Sequence, residues 1–133
     1  MNSYELKVRE FHTAFDGLTD QPLSERLLQL RKSLLSEEVR ELCVEIDNVV
    51  TELKTGKPAP ATLAALLKEM ADVQYVLSGM AVTFGLPLEE AFTRVHDSNM
   101  SKLGPDGRPL LRDDGKILKG PNYVPPDLGD LVA

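Results

Sequence analysis

Apolar residues recur at helical spacing through the first hundred positions, in four runs separated by glycine and proline at 17–22, 56–60 and 85–87. The first run predicts a short helix from Tyr4 to Phe15, with Leu6, Val8, Phe11 and Phe15 as its apolar residues and Gly17 after it. Asp20-Gln21-Pro22-Leu23-Ser24 reads as a turn, with Ser24 placed to cap the next helix. That second helix is predicted to run to Lys54, where Gly56 ends it. Lys57-Pro58-Ala59-Pro60 is a rigid connector. A third helix starts near Thr62 and stops at Phe84, before Gly85. Pro87 suits the first turn of a fourth helix, with Glu89 and Glu90 complementing its dipole. The fourth helix is predicted to reach Leu103 and stop at Gly104. The expected class is all-α, a four-helix bundle over 4–103 with a C-terminal tail over 104–133, all in one domain.

Carboxylates interrupt the apolar stripes of the two long helices. At 100° per residue with Glu37 at the origin, Glu41 lies at about 40° and Glu38 at about 100°. Leu30, Leu34 and Leu27 lie at about 20°, 60° and 80°, so the acids continue the leucine stripe. Glu45 falls in the same sector. On the third helix, Val73, Val76 and Met80 lie within about 40° of Glu69, and Asp72 sits at the edge of that stripe. Between Ala61 and Phe84 the only charges are Lys68, Glu69 and Asp72. Buried carboxylates are costly unless a partner satisfies them. Two helices that each bring acids to one seam therefore point to a hard divalent cation such as Mg²⁺. Oxygen donors with no nearby His or Cys favour Mg²⁺ or Mn²⁺ over Zn²⁺.

The fourth helix carries polar groups on its apolar face as well. With Ala91 at the origin, Leu88, Val95, Asn99 and Lys102 all fall within about 80°. Asn99 and Lys102 are thereby placed to reach the acidic seam or a ligand there. From Gly104 onward the chain holds five of its nine glycines and five of its nine prolines, so it cannot form a core of its own. Leu110-Leu111-Arg112 and Lys116-Ile117-Leu118, joined at Asp113-Asp114-Gly115, predict a β-hairpin. Arg112, Lys116 and Lys119 are cations placed either in solvent or against a phosphate.

A chain of 133 residues is long enough for a proper core, and with four Phe, three Tyr and no Trp that core is aliphatic. The net charge of −6 argues against a broad nucleic-acid face. It leaves a phosphate substrate open, because bound metal inverts the local field. Cys43 is the only cysteine, lies on the far side of its helix from Glu41, and reads as structural. A lone thiol suits a reducing compartment, and no apolar run has the length of a membrane span. The expectation is a cytoplasmic protein with no membrane partner. The wide apolar arc of the third helix, from Leu63, Leu67 and Ala71 round to Val76, asks for cover on several sides. This predicts a homodimer or a dimer of dimers.

Taken together, Glu37-Glu38-x-x-Glu41 followed after 27 residues by Glu69-x-x-Asp72 resembles the signature of the all-α nucleoside triphosphate pyrophosphohydrolases, the MazG-like superfamily. The resemblance covers Tyr4 to Leu103 and extends to Asn99-x-x-Lys102, which looks like that family's substrate motif on the fourth helix. The tail, from Asp106-Gly107-Arg108 through Asp114-Gly115-Lys116 to Lys119-Gly120-Pro121-Asn122-Tyr123, is similar to that of a MazG-like subgroup associated with dUTP hydrolysis. The Lys-x-x-Arg-Arg run associated with MazG itself is missing, which argues against a broad substrate range.

The resemblance implies cleavage between the α- and β-phosphates, most specifically dUTP to dUMP and pyrophosphate, with Mg²⁺ as cofactor and Mn²⁺ as a substitute. It implies Glu38, Glu41, Glu69 and Asp72 as metal ligands. Glu37 and Glu38 are the catalytic candidates, with Glu37 either a ligand or the base. Asn99, Lys102, Lys116, Lys119 and Tyr123 would bind substrate. His12 and Phe15 join them because the first helix packs near the nucleobase in this family.

Three alternatives stand beside this. Phosphoribosyl-ATP pyrophosphohydrolase, whose substrate carries a second phosphorylated ribose, and a broader triphosphate pyrophosphatase are the rivals within the superfamily. A helical adaptor protein, with its acids in solvent, is the rival outside it. A di-iron carboxylate protein needs Glu-x-x-His, and neither His12 nor His96 has a Glu three residues earlier.

Overall fold

The computed structural model describes residues 1–133. Four helices are present: α1 (Ser3–Ala14), α2 (Glu25–Leu53), α3 (Pro60–Phe84) and α4 (Leu88–Met100). They are followed by strands β1 (Leu110–Leu111) and β2 (Ile117–Leu118) and a 3-10 turn at Gly129–Leu131. The class is all-α, as the periodicity predicts. Contacts gather into two compact units, Met1–Leu86 and Pro87–Ala133.

In the first unit each helix begins where the sequence satisfies its leading amides. At α1, Asn2 accepts from the Glu5 amide at 2.9 Å and Glu5 accepts from the Asn2 amide at 3.0 Å. At α2, the Ser24 hydroxyl accepts from the Leu27 amide at 3.2 Å, a cap worth about 1 kcal/mol. The start of α3 has no capping side chain of its own. Glu52, at the end of α2, supplies one by accepting from the Ala59 amide at 2.8 Å and from the Thr62 hydroxyl. These two bonds hold the Glu52 carboxyl below its ordinary value of 4.5.

α3 packs against both α1 and α2. The core lies at its C-terminal half, where Ser78, Gly79, Ala81, Val82, Thr83 and Phe84 are buried with Val8 of α1 and Leu27 of α2. These are mostly small side chains, which allow close helix approach. The α1–α2 loop closes over the end of α3. The amides of Asp20 and Gln21 donate to the carbonyls of Val82 and Thr83 at 3.1 and 2.7 Å, satisfying two C-terminal carbonyls. Gly85 ends α3 with φ 63°, and an added Cβ would meet Asp20 Oδ1 at 2.9 Å. Both constraints call for glycine.

α1 departs from expectation. Leu6, Phe11 and Phe15 are exposed, and Val8 shares the buried face with Glu5. A helix of three turns that packs chiefly against α3 buries one narrow line of residues, and the capping box brings Glu5 onto that line. Cys43 is free and exposed on α2, so it does no packing.

In the second unit, Pro87 occupies the N-cap position of α4 rather than its first turn. The helix ends at Met100, short of Leu103. There the Ser101 hydroxyl donates to the Ser98 carbonyl at 2.6 Å and accepts from the Val124 amide at 2.9 Å. The tail thus takes over where the helix would have continued. Arg94 fastens it further, pairing with Asp130 through two bonds of 2.5 and 3.1 Å, with the Asp127 carbonyl at 3.0 Å and with Glu90 at 3.0 Å. The hairpin pairs Leu110 with Leu118 and Leu111 with Ile117, antiparallel, and turns at Asp114-Gly115 as predicted.

Candidate metal centre

Three contacts fix how α2 meets α3: Glu52 with Thr62, Glu38 beside Glu69, and Arg31 with Val76. Residue numbers fall on one helix as they rise on the other, so the helices are antiparallel. Their midpoints bring the two acid groups together. Carboxylate oxygens of Glu38, Glu41 and Glu69 all lie within 4.8 Å of one another. All three residues are half-buried.

Glu38 Oε2 and Glu69 Oε2 are buried and have no hydrogen-bond partner. Burial, first, and then Glu41, Asp72 and Glu69 raise the Glu38 carboxyl above its ordinary range. Asp72 stands at the rim, where Lys68 Nζ lies 2.6 Å from its Oδ2 and 3.3 Å from Glu69 Oε1. The two acids raise the Lys68 ammonium above its usual value. A cluster of oxygen donors, two of them buried without a donor, fits a hard divalent cation.

Glu37 is not part of this cluster. Its side chain is exposed and lines a shallow depression on α2 with Gln29, Lys32, Ser33, Ser36 and Arg40. The stripe reading placed Glu37 on the inward face together with Glu38 and Glu41. The seam is instead centred nearer Leu27, Leu34 and Glu38, at about 60–100° on the same wheel. Leu30, close to Glu37 in angle, is 50% exposed for the same reason.

On α1, His12 Nδ1 lies 2.9 Å from the Leu18 carbonyl, so that nitrogen donates and ties the loop to the helix. Phe15 is 71% exposed, and its ring centroid lies 4.6 Å from that of Phe11. Phe11 in turn meets Tyr75 edge-on at 5.6 Å. Tyr75 is three residues beyond Asp72 on α3, so this aromatic group and the acid cluster share one helix. In the second unit Asn99 is exposed at the end of α4, and Lys102 follows it half-buried, its amide bonded to the Asn99 carbonyl at 3.2 Å. Lys119 Nζ lies 4.7 Å from the Tyr123 ring centroid. Lys116 is exposed beyond the hairpin turn, and Arg112 is paired with Asp114.

Sequence reasoning gave no role to Arg31, Lys68 or Tyr75. Arg31 reaches across to the Val76 carbonyl at 3.0 Å, with its Nε buried and unpartnered. A signal for it lay in Gly79, the one glycine inside an otherwise continuous helix.

The profile of the phosphoribosyl-ATP pyrophosphohydrolase family matches residues 8–99, and the chain belongs to this family. It is thereby a member of the all-α nucleoside triphosphate pyrophosphohydrolase superfamily and an enzyme of the pyrophosphohydrolase type. Both acid groups lie inside the matched segment. A crystal structure of a candidate NTP pyrophosphohydrolase from Exiguobacterium sp. 255-15 is similar, with 24% identity over 94% of this chain and 89% of that one and a TM-score of 0.46. No curated protein sequence matches. No helix is long and apolar enough to cross a membrane.

Proposed function

We propose that this protein is a Mg²⁺-dependent nucleoside triphosphate pyrophosphohydrolase that cleaves between the α- and β-phosphates and acts on dUTP, giving dUMP and pyrophosphate. The observation that carries the reaction class is the α2–α3 acid cluster with its two orphaned buried oxygens. In this reading Glu38, Glu41, Glu69 and Asp72 would hold the divalent cation. When bound, such an ion supplies charge neutralisation and Lewis acidity toward phosphoryl oxygens. The chain's own part is to hold those carboxylates on two rigid helices and to receive a proton from the attacking water. Glu38, within the cluster, and Glu37, on the neighbouring exposed face, are the candidates for that proton. Asn99, Lys102, Lys116, Lys119 and Tyr123 are proposed to bind the phosphates and sugar. His12 and Phe15 are proposed to bind the base.

The choice of dUTP rests on the resemblance of the tail from Asp106 to Tyr123. A pocket shaped for uracil rejects purines by size. It rejects thymine only by a wall against one methyl group, which gives about 10–200-fold discrimination. A second reading, phosphoribosyl-ATP as substrate, is favoured by the family to which residues 8–99 belong. One assay separates the two. Pyrophosphate and nucleotide products are resolved from dUTP, dTTP, ATP, GTP and phosphoribosyl-ATP, with and without Mg²⁺. The expected result is fastest conversion of dUTP to dUMP, weaker turnover of dTTP and little of the purines. Faster cleavage of phosphoribosyl-ATP establishes the second reading. Release of orthophosphate with dUDP contradicts the bond assignment in both.

A further inference from the structure

Lys68 occupies a position that the proposed reaction leaves unexplained. It is the single cation on α3, placed directly before Glu69 and one turn before Asp72. Its Nζ bridges the two, at 2.6 Å from Asp72 Oδ2 and 3.3 Å from Glu69 Oε1. An i,i+4 pair on a helix is ordinarily a surface interaction worth a few tenths of a kcal/mol. Here the partners belong to a crowded acid group. Glu38, Glu41 and Glu69 already stand within 4.8 Å of one another. Of these acids the Lys68 ammonium touches only Glu69 and Asp72. On the inner side Glu38 Oε2 and Glu69 Oε2 have no donor at all. The Lys68 side chain is 66% exposed, whereas those of Glu69 and Asp72 are 13% and 33% exposed. The lysine side chain therefore lies mostly in solvent and can swing away from the acids, which stay in place on α3.

We infer that Lys68 is a tethered counter-cation of the acid cluster: it holds Asp72 and Glu69 when no divalent ion is bound, and it gives up Asp72 Oδ2 when one binds. The inference rests on the metal-site reading of Glu38, Glu41, Glu69 and Asp72. Its consequence is that the chain weakens its own metal affinity, for two reasons. Lys68 occupies an oxygen that a cation would use, and it places a positive charge a few ångströms from a dication.

Titration calorimetry with MgCl₂, and separately MnCl₂, tests this on the wild type, Lys68→Gln, Lys68→Arg and Lys32→Gln. Lys32 lies on the outer depression of α2 and reports the general effect of removing one charge. The expected result is about tenfold tighter binding by Lys68→Gln, with Lys68→Arg and Lys32→Gln within about twofold of the wild type. Lys68→Gln should also show a larger metal-induced rise in melting temperature than the wild type. Unchanged or weaker binding by Lys68→Gln overturns the inference and leaves the metal site standing. So does tightening by Lys68→Arg or Lys32→Gln equal to that of Lys68→Gln. A wild type that binds neither ion overturns the inference and the metal-site reading together.

Discussion

Arg31 fills the place where residue 79 would carry a side chain: a Cβ built on Gly79 lies 2.1 Å from Arg31 Nη2. The guanidinium lies against α3, donates to the Val76 carbonyl at 3.0 Å and leaves its Nε buried without a partner. Burial lowers its pKa from the ordinary value. Gly79→Ala must push the guanidinium off the Val76 carbonyl and is expected to destabilise the protein by about 0.5–1.5 kcal/mol, the net worth of that hydrogen bond. Urea denaturation of Gly79→Ala, Arg31→Ala and the double variant checks the cause. A double variant more stable than Gly79→Ala alone assigns the cost to this clash. Strictly additive losses contradict it.

Glu52 links stability to pH. Its carboxyl is held below 4.5 by the Ala59 amide and the Thr62 hydroxyl, so the folded state prefers the ionised form. The stabilisation is present above the unfolded value and is lost as pH falls through the folded one. Glu52→Gln is expected to melt below the wild type at pH 7, and the gap is expected to close below about pH 4. Melting curves across that range check it, and a gap independent of pH would show that charge plays no part.

Much of this fold is legible in the sequence because its punctuation is local. Ser24, Gly56 and Gly85 act on their own neighbourhoods, and α2 and α3 begin and end within a few residues of the predicted bounds, α3 starting at Pro60 rather than near Thr62. The acid group is legible for a similar reason, since Glu38, Glu41 and Glu69 keep helical spacing on apolar stripes. What fails depends on distant partners. The end of α4 is set by Val124, twenty-three residues on, through Ser101. Glu37 and Glu38 differ by one residue, or about 100° of helix, and only the packing of α3 decides which turns inward. Arg31 gains its importance from α2–α3 contacts, which spacing alone does not display.

The tail of the second unit should loosen without loss of the fold. Arg94 is half-buried, but its partners Glu90 and Asp130 are exposed, and ion pairs open to solvent in this way contribute little to global stability. Arg94→Ala is expected to leave the melting temperature within a few degrees while limited proteolysis beyond Val124 becomes faster. Unchanged proteolysis would mean that Arg94 does not fasten the segment.

Leu67 is 66% exposed, Leu63 46%, Met70 53% and Phe92 71%. Leu63, Leu67 and Met70 lie at i, i+4 and i+7 on α3 and so share one face, and contiguous exposed apolar surface marks interaction sites. A homodimer or dimer of dimers is expected at micromolar concentration by sedimentation equilibrium, and a monomer mass there would remove that expectation.

The central claim is that the acids of α2 and α3 form one divalent-cation site, and Glu69 is the residue to test because it contributes both a clustered oxygen and an orphaned one. Isothermal titration of Mg²⁺ into the wild type and Glu69→Gln measures it directly. Glu69→Gln relieves crowding among the acids, so its melting temperature without metal can rise and does not decide the matter. The account requires saturable Mg²⁺ binding by the wild type and its loss in Glu69→Gln. Equal binding by the two proteins would contradict it.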